Sequence, residues 1–294
     1  MLEELGMLPD LKEDYLLRVA KDIEVSASGR NQMLDNFQGT KKNSVGVNNL
    51  NINNDFKGSG SDSFRLARSR GKRLLRYLKQ SENCSDLFKS RMCQKLSIIS
   101  FIPARKPVSV ELGGHILYEN SLTSFKELLA ISAGPLGFSV MPVLDEDLAP
   151  PLIFFSALGV TTSPPIEVVL RHLRNLTVNS GDSLDRWNHE KFSIRETFST
   201  LFQHLYDQWK HIVPPVQDAI KCSQIIPVGH FLVRPARLFF RLQGDDLSPF
   251  MHEVPRYFGA HEQFLKILGV KEEPSASDNI EVVCTNELFE ISLL

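Results

Sequence analysis

No stretch of this 294-residue chain is long and apolar enough to span a bilayer. The longest apolar run, 150–160, is interrupted towards its end by Ser156 and Gly159 and reaches about half the roughly 20 residues a spanning helix needs. It is predicted to be a buried helix. Cysteine is scarce: Cys84, Cys93, Cys222 and Cys284 show no paired spacing. That excludes a disulfide framework and points to a reducing compartment, the cytoplasm or nucleus. The first fifteen residues are acidic and broken by Gly6 and Pro9, so the basic start and apolar run of a secretory signal are missing. Without export, Asn83-Cys84-Ser85 and Asn175-Leu176-Thr177 are chance matches to the glycosylation pattern. An excess of one charge is absent too. With 33 basic and 35 acidic residues the net charge is -2, which removes any whole-chain attraction to nucleic acid or anionic membrane.

What is present is an ordinary globular composition, 42% hydrophobic and 23% charged, in a length that suits about two domains. One segment departs from it. Residues 28–61 are rich in Asn, Gly, Ser and Lys with scattered apolar positions, the pattern of a disordered insertion. Around it the periodicity is helical. Tyr15, Leu16, Val19 and Ile23 share one face, with Asp10 and Glu13 spaced as a capping box. A second helix is predicted from Pro164, with Ser163 as cap, Glu167 in the first turn, and Ile166, Val169, Leu170 and Leu173 on one stripe. The strongest stripe is Ile194, Phe198, Leu201, Phe202, Leu205, Trp209 and Ile212, which Pro214 and Pro215 are expected to stop.

The same short signatures return in the same order, which marks an internal repeat. Leu5-Gly6-Met7, Leu158-Gly159-Val160 and Leu268-Gly269-Val270 each precede a helical pattern, and their glycines are 153 and 110 residues apart. Such glycines end one helix so that the chain can turn into the next. The run 98–103, Ile-Ile-Ser-Phe-Ile-Pro, resembles Ile225-Ile226-Pro227-Val228; both are expected to be edge strands halted by proline. Gly114-His115-Ile116-Leu117 resembles Gly229-His230-Phe231-Leu232 and suggests a repeated hairpin. The expected fold is α+β: two tandem mixed units of amphipathic helices with short β-hairpins. Residues 1–27 form the helical start of the first unit, 28–61 the insertion, and 62–160 its remainder. The second unit is 161–270, and 271–294 begin a truncated third.

Candidate chemistry is thin. Gly181-Asp182-Ser183-Leu184 is the string of one family of serine esterases, in which the serine attacks an ester carbonyl with help from a histidine and an aspartate. Its context argues against that role. The string follows a helical stretch, only about 110 residues remain after it, and the nearest Asp and His, Asp207 and His211, lie four apart on the long helix, so no doubly wound sheet can be built around it. A turn capping the next helix accounts for the same residues. Gly58-Ser59-Gly60-Ser61 lacks the preceding strand and following lysine of a phosphate loop and reads as a flexible linker. His204 and His211 are seven apart on one helix with no further ligand to complete a metal set. The acids Asp145, Glu146 and Asp147, and Asp245 and Asp246, sit in proline-bounded loops as solvated charge. Residues 65–79 carry seven cations, Arg65, Arg68, Arg70, Lys72, Arg73, Arg76 and Lys79, interleaved with Phe64, Leu74, Leu75 and Leu78. That describes an amphipathic helix with a solvated basic face, and secondarily a nucleic-acid contact.

The stretch Leu232-Val233-Arg234-Pro235-Ala236-Arg237-Leu238-Phe239-Phe240, with Ser248-Pro249-Phe250 and Leu268-Gly269-Val270, resembles the sacsin family, above all large plant sacsin-like proteins. Leu148-Ala149-Pro150-Pro151 leading to Leu158-Gly159-Val160 has the same character. The resemblance covers about residues 2–25 and 96–284, while 284–294 depart from it. It implies a fragment of a very large multi-repeat protein of protein quality control, lacking the ATP-binding module of the GHKL type that usually opens such repeats. The expected function is a non-catalytic interaction or scaffold segment of a chaperone-associated protein, with no catalytic, cofactor or metal residues. Its partners are client proteins or other segments of a parent chain, with no membrane and no small-molecule substrate. The alternatives are nucleic-acid binding through 65–79 and a serine esterase using Ser183.

Overall fold

The computed structural model of the chain describes residues 13–40, 59–80, 91–110, 116–178, 191–229, 231–242 and 250–280. The fold is α+β, with short strands paired in twos between amphipathic helices. The chain divides into two compact units: residues 1–108, 118–134 and 141–163 make one, and 109–117, 135–140 and 164–294 the other.

In the first unit helix α1 (Glu13–Thr40) packs on α2 (Ser59–Gln80) and α3 (Arg91–Leu96). Leu16, Ala20 and Ile23 of α1 are buried at the spacing of one helical face. They meet Ala67, Leu74, Leu75 and Leu78 of α2 and Met92, Cys93 and Leu96 of α3 in one core. Gly71 of α2 lies against the chain entering strand β1 (Ile102–Val110). A Cβ there would stand 2.2 Å from the Phe101 carbonyl oxygen, so only glycine allows this approach. β1 pairs with β2 (Ile116–Thr123). A 3-10 turn, Phe125–Glu127, comes next, with Phe101 and Phe125 meeting edge to face at 5.7 Å. Helix α4 (Phe155–Leu158), the last of the unit, is capped by Gly159, whose φ is +76°.

The second unit opens with α5 (Ile166–Val178), α6 (Ile194–Gln208) and α7 (Pro214–Cys222). Strands β3 (Ile226–Val228) and β4 (Phe231–Val233) pair antiparallel across Gly229, whose φ is +57°. The two-residue strands β5 (Leu238–Phe239) and β6 (His252–Glu253) pair parallel, and α8 (Glu262–Leu268) ends at Gly269 with φ +105°. Phe202 of α6 sits at the centre of an aromatic cluster, with ring centroids 6.0 Å from Phe198, 5.1 Å from Phe258 and 5.9 Å from Phe264. Trp209 meets Phe264 at 5.4 Å. These rings cover the long apolar stripe read from the sequence.

The two units use the same order of parts, and from the end of the hairpin onward they keep a constant offset of 110. Thr161 donates to the Leu128 carbonyl and accepts from Ala130, as Lys271 donates to Leu238 and accepts from Phe240. Leu144 donates to Leu129 as Val254 does to Phe239, and Leu148 to Asp145 as Phe258 does to Pro255. Behind each capping glycine, Val160 donates to Phe155 as Val270 does to Leu265. The segment 276–280 is helical, in the place that α5 takes after Gly159.

Several expectations need correction. α2 begins at Ser59, so Ser59-Gly60 form the first turn of a helix instead of a linker. Asp62 in that turn complements the helix dipole; residues 41–58 lie outside the described ones, as do Leu5-Gly6-Met7, Asp10 and Gly114-His115. Pro214 and Pro215 do not stop α6, which gives way to a 3-10 turn at Trp209–His211; they start α7, where a missing N–H costs nothing. Pro103 and Pro227 lie inside β1 and β3. A two-stranded sheet consists of edges, and an edge tolerates proline. The run 150–160 is only half buried as a helix: Leu152 and Ile153 form a 3-10 turn and are 74% and 79% exposed.

Candidate functional site

The second unit brings together polar groups that are far apart in sequence. On α6, Ser199, Gln203 and Tyr206 recur at helical spacing along the edge of the apolar stripe. Facing them is the turn at 256–261 that leads into α8. A cavity of about 330 Å³ is lined by Gln203, Tyr206, Glu262, Gln263 and Phe264 with His261 at its wall. Ser199 Oγ lies 2.7 Å from His261 Nε2, and the Tyr206 hydroxyl donates to Gln263 Oε1 at 2.7 Å. Burial holds the His261 pKa below its usual value, which favours the neutral ring, whose Nε2 can accept the Ser199 hydroxyl proton.

A serine beside a neutral imidazole is the first half of a nucleophilic site. The second half would be an acid on the far ring nitrogen and donors for an oxyanion. Among the described residues no acid is bonded to His261. Asp207 accepts from Gln203 at 2.9 Å, and Glu262 is paired with Lys266 at 2.7 Å. The Ser199–His261 bond therefore fastens α6 to the turn before α8, and the Tyr206–Gln263 bond fastens it to α8 itself.

A second polar group is fully enclosed. His172 of α5 is buried, with Nε2 3.1 Å from the Pro135 carbonyl and Nδ1 2.7 Å from Ser139 Oγ. A carbonyl can only accept, so Nε2 donates to Pro135, and in the neutral ring Nδ1 then accepts from Ser139. Asn175 Nδ2 in turn donates to Ser139 Oγ at 3.1 Å and to its carbonyl at 3.2 Å. Phe138 stands edge-on to the imidazole at 4.5 Å and stacks on Phe192 at 5.6 Å. Both ring nitrogens of His172 and the Ser139 hydroxyl are thus occupied by their neighbours.

The residues singled out from sequence are not assembled into one site. Ser183 lies outside the described residues, and so do Asp245 and Asp246. Asp207 and His211 are both exposed on α6 and the turn after it. His204 is half-buried; burial lowers its pKa, and the Asp207 carboxylate offsets part of that. Asp145, Glu146 and Asp147 are exposed, and the carbonyls of Glu146 and Asp147 receive Lys79 Nζ at 3.1 and 3.3 Å. Among the described residues there is no group of three or more potential metal ligands, and no helix long and apolar enough to cross a membrane. Sequence reasoning passed over Ser199, His261, Tyr206 and Gln263. Their only signal was polar residues beside a strongly apolar stripe, and the pairing partner lies about sixty positions away. No family model matches the chain, and no curated protein or solved structure is significantly similar to it.

Proposed function

We propose that this chain is a non-catalytic interaction and scaffold segment of a sacsin-like, chaperone-associated protein. It acts in the cytoplasm on client proteins or on other segments of a longer parent chain. The observation that supports this reading is the repetition of one frame at a fixed offset, with His172 and Ser199 of the second unit spent on fastening its loops. Repeats of this kind present surfaces built from the positions that vary between copies. One such difference is clear: the first unit exposes Leu152 and Ile153 where the second carries Glu262 and Gln263.

The test is light scattering from a heat-denatured model client mixed with the purified chain and no ATP. The chain suppresses aggregation at near-equal amounts, and Leu152→Asp with Ile153→Asp weakens the effect. Turnover of ATP, or of a simple ester with loss in Ser183→Ala, contradicts the proposal.

A further inference from the structure

Helix α2 is amphipathic in an unusual sense, because its outer face is almost entirely cationic. Its apolar side, Ala67, Leu74, Leu75 and Leu78, is locked into the core of the first unit. The opposite side carries Arg65, Arg70, Lys72, Arg73, Arg76 and Lys79, all exposed, with Arg68 half-buried at the margin. Arg65, Arg68, Lys72 and Arg76 recur at spacings of three and four residues and so form one ridge about 16 Å long.

Part of this charge is already committed. Lys79 is held by the Glu146 and Asp147 carbonyls, and Arg65 pairs with Asp62 at 3.2 Å between side chains that are 85% and 67% exposed. Of the acids on the packed elements, Glu24 of α1 accepts from the Ser100 amide at 2.9 Å. None of the described acids, including Asp14, Asp22, Asp145, Glu146 and Asp147, pairs with Arg70, Lys72 or Arg76, and Arg68 Nε is shut from solvent without an acceptor. Lys72 and Arg76, one turn apart, thus repel one another, and Arg70 is exposed further round the helix, in a chain whose net charge is -2. Such repulsion lowers stability and is relieved by a polyanion.

We propose that the outer face of α2 binds the phosphodiester backbone of nucleic acid without reading its sequence. The cations stand at helical spacing along the ridge, and a contact with the phosphate backbone needs only their charge. A protein partner would need an apolar, desolvated centre, and Leu66, 52% exposed, is the one large aliphatic side chain open on this stretch of the described helix. A membrane surface would need the apolar side to insert, and that side is buried.

Fluorescence anisotropy of a labelled, mixed-sequence oligonucleotide, single-stranded and duplex, against the full chain tests this. About four phosphates neutralised gives a duplex slope near -3.6 in log K against log salt, about a 150-fold loss of affinity between 50 and 200 mM, and a shallower slope on the single strand. Replacing Arg70, Lys72 and Arg76 together by Gln removes about 2.7 of that slope. The Arg70→Lys, Arg76→Lys variant keeps its charge and stays within a few-fold of the parent. Three results overturn the proposal: no binding at low salt, binding unchanged in the glutamine variant while its circular dichroism is unaltered, or equal or tighter binding of polyglutamate or of vesicles rich in anionic lipid. If the glutamine variant does not fold, the lysine variant decides, since loss of binding there also refutes a charge-only contact.

Discussion

Replacing Gly269 by alanine probes the device that turns each unit's last helix into the next segment of the chain. Gly269 closes α8 with φ +105°, its N–H reaching the Lys266 carbonyl at 3.1 Å. A side chain in the left-handed region costs about 1–2 kcal/mol. Alanine also narrows the unfolded ensemble, which returns about 0.4–1 kcal/mol. No heavy atom lies within 4 Å of a Cβ built there, so no steric clash adds to the balance. The expected net loss is about 1 kcal/mol, near fivefold in the folding equilibrium. Gly159, with φ +76°, differs in one respect: its Cβ would meet the Lys126 Cγ at 2.9 Å. Gly159→Ala should therefore cost more than Gly269→Ala, while Gly269→Asn, which tolerates this backbone, should cost less. Urea titration tracked by the fluorescence of the buried Trp209 for the position 269 variants, and by circular dichroism for all three, measures the order. A Gly269→Ala protein as stable as the parent, or an alanine better tolerated at 159 than at 269, refutes the reasoning.

Three further outcomes rest on the same geometry. Phe202→Ala opens a hole at the centre of the Phe198, Phe258 and Phe264 cluster; it should cost about 3–5 kcal/mol and lower the thermal midpoint of the second unit by circular dichroism. Thr197 is fully buried and its Oγ1 has no acceptor or donor among the described residues, so Thr197→Val should raise stability by up to about 1 kcal/mol in the same titration. Asp278 caps the helix at 276–280 by accepting from the Ser275 amide at 2.8 Å, and it pairs with Lys271 at 2.5 Å. The Lys271 and Ser275 hydrogen bonds bring its pKa from 3.8 to about 2. Its folded-state pKa is depressed, so the stabilisation is complete above pH 4 and disappears as pH falls towards 2. Carbon chemical shifts of 276–280 should lose helical character in that window, and Asp278→Asn should show the loss already at pH 7.

The repeat was legible because its punctuation is chemical: a left-handed turn after a helix demands glycine, and Leu-Gly-Val stands at both places where the described chain makes it. The apolar stripe of α6 was legible for the same reason, since Phe198, Leu201, Phe202 and Leu205 can share a face only in a helix. Proline is ambiguous in sequence. It reads as a stop, whereas Pro103, Pro214 and Pro227 each sit where a missing N–H has no partner to lose, at an edge strand or in a first turn. The segment 28–61 was legible as a break in the pattern, because its apolar positions are too scattered to make a stripe. The Ser199–His261 and His172–Ser139 pairs could not be read, because each depends on two elements meeting in space.

The most direct test is native-state amide hydrogen exchange at matched positions of the two units. Ala130, Leu144 and Thr161 in the first, and Phe240, Val254 and Lys271 in the second, each donate to a backbone carbonyl at the same offset. If one frame is used twice, all six amides are protected, and each pair exchanges by the opening of its own unit. Protection of the first three with free exchange of the second three, or the reverse, would show that the units do not share a frame.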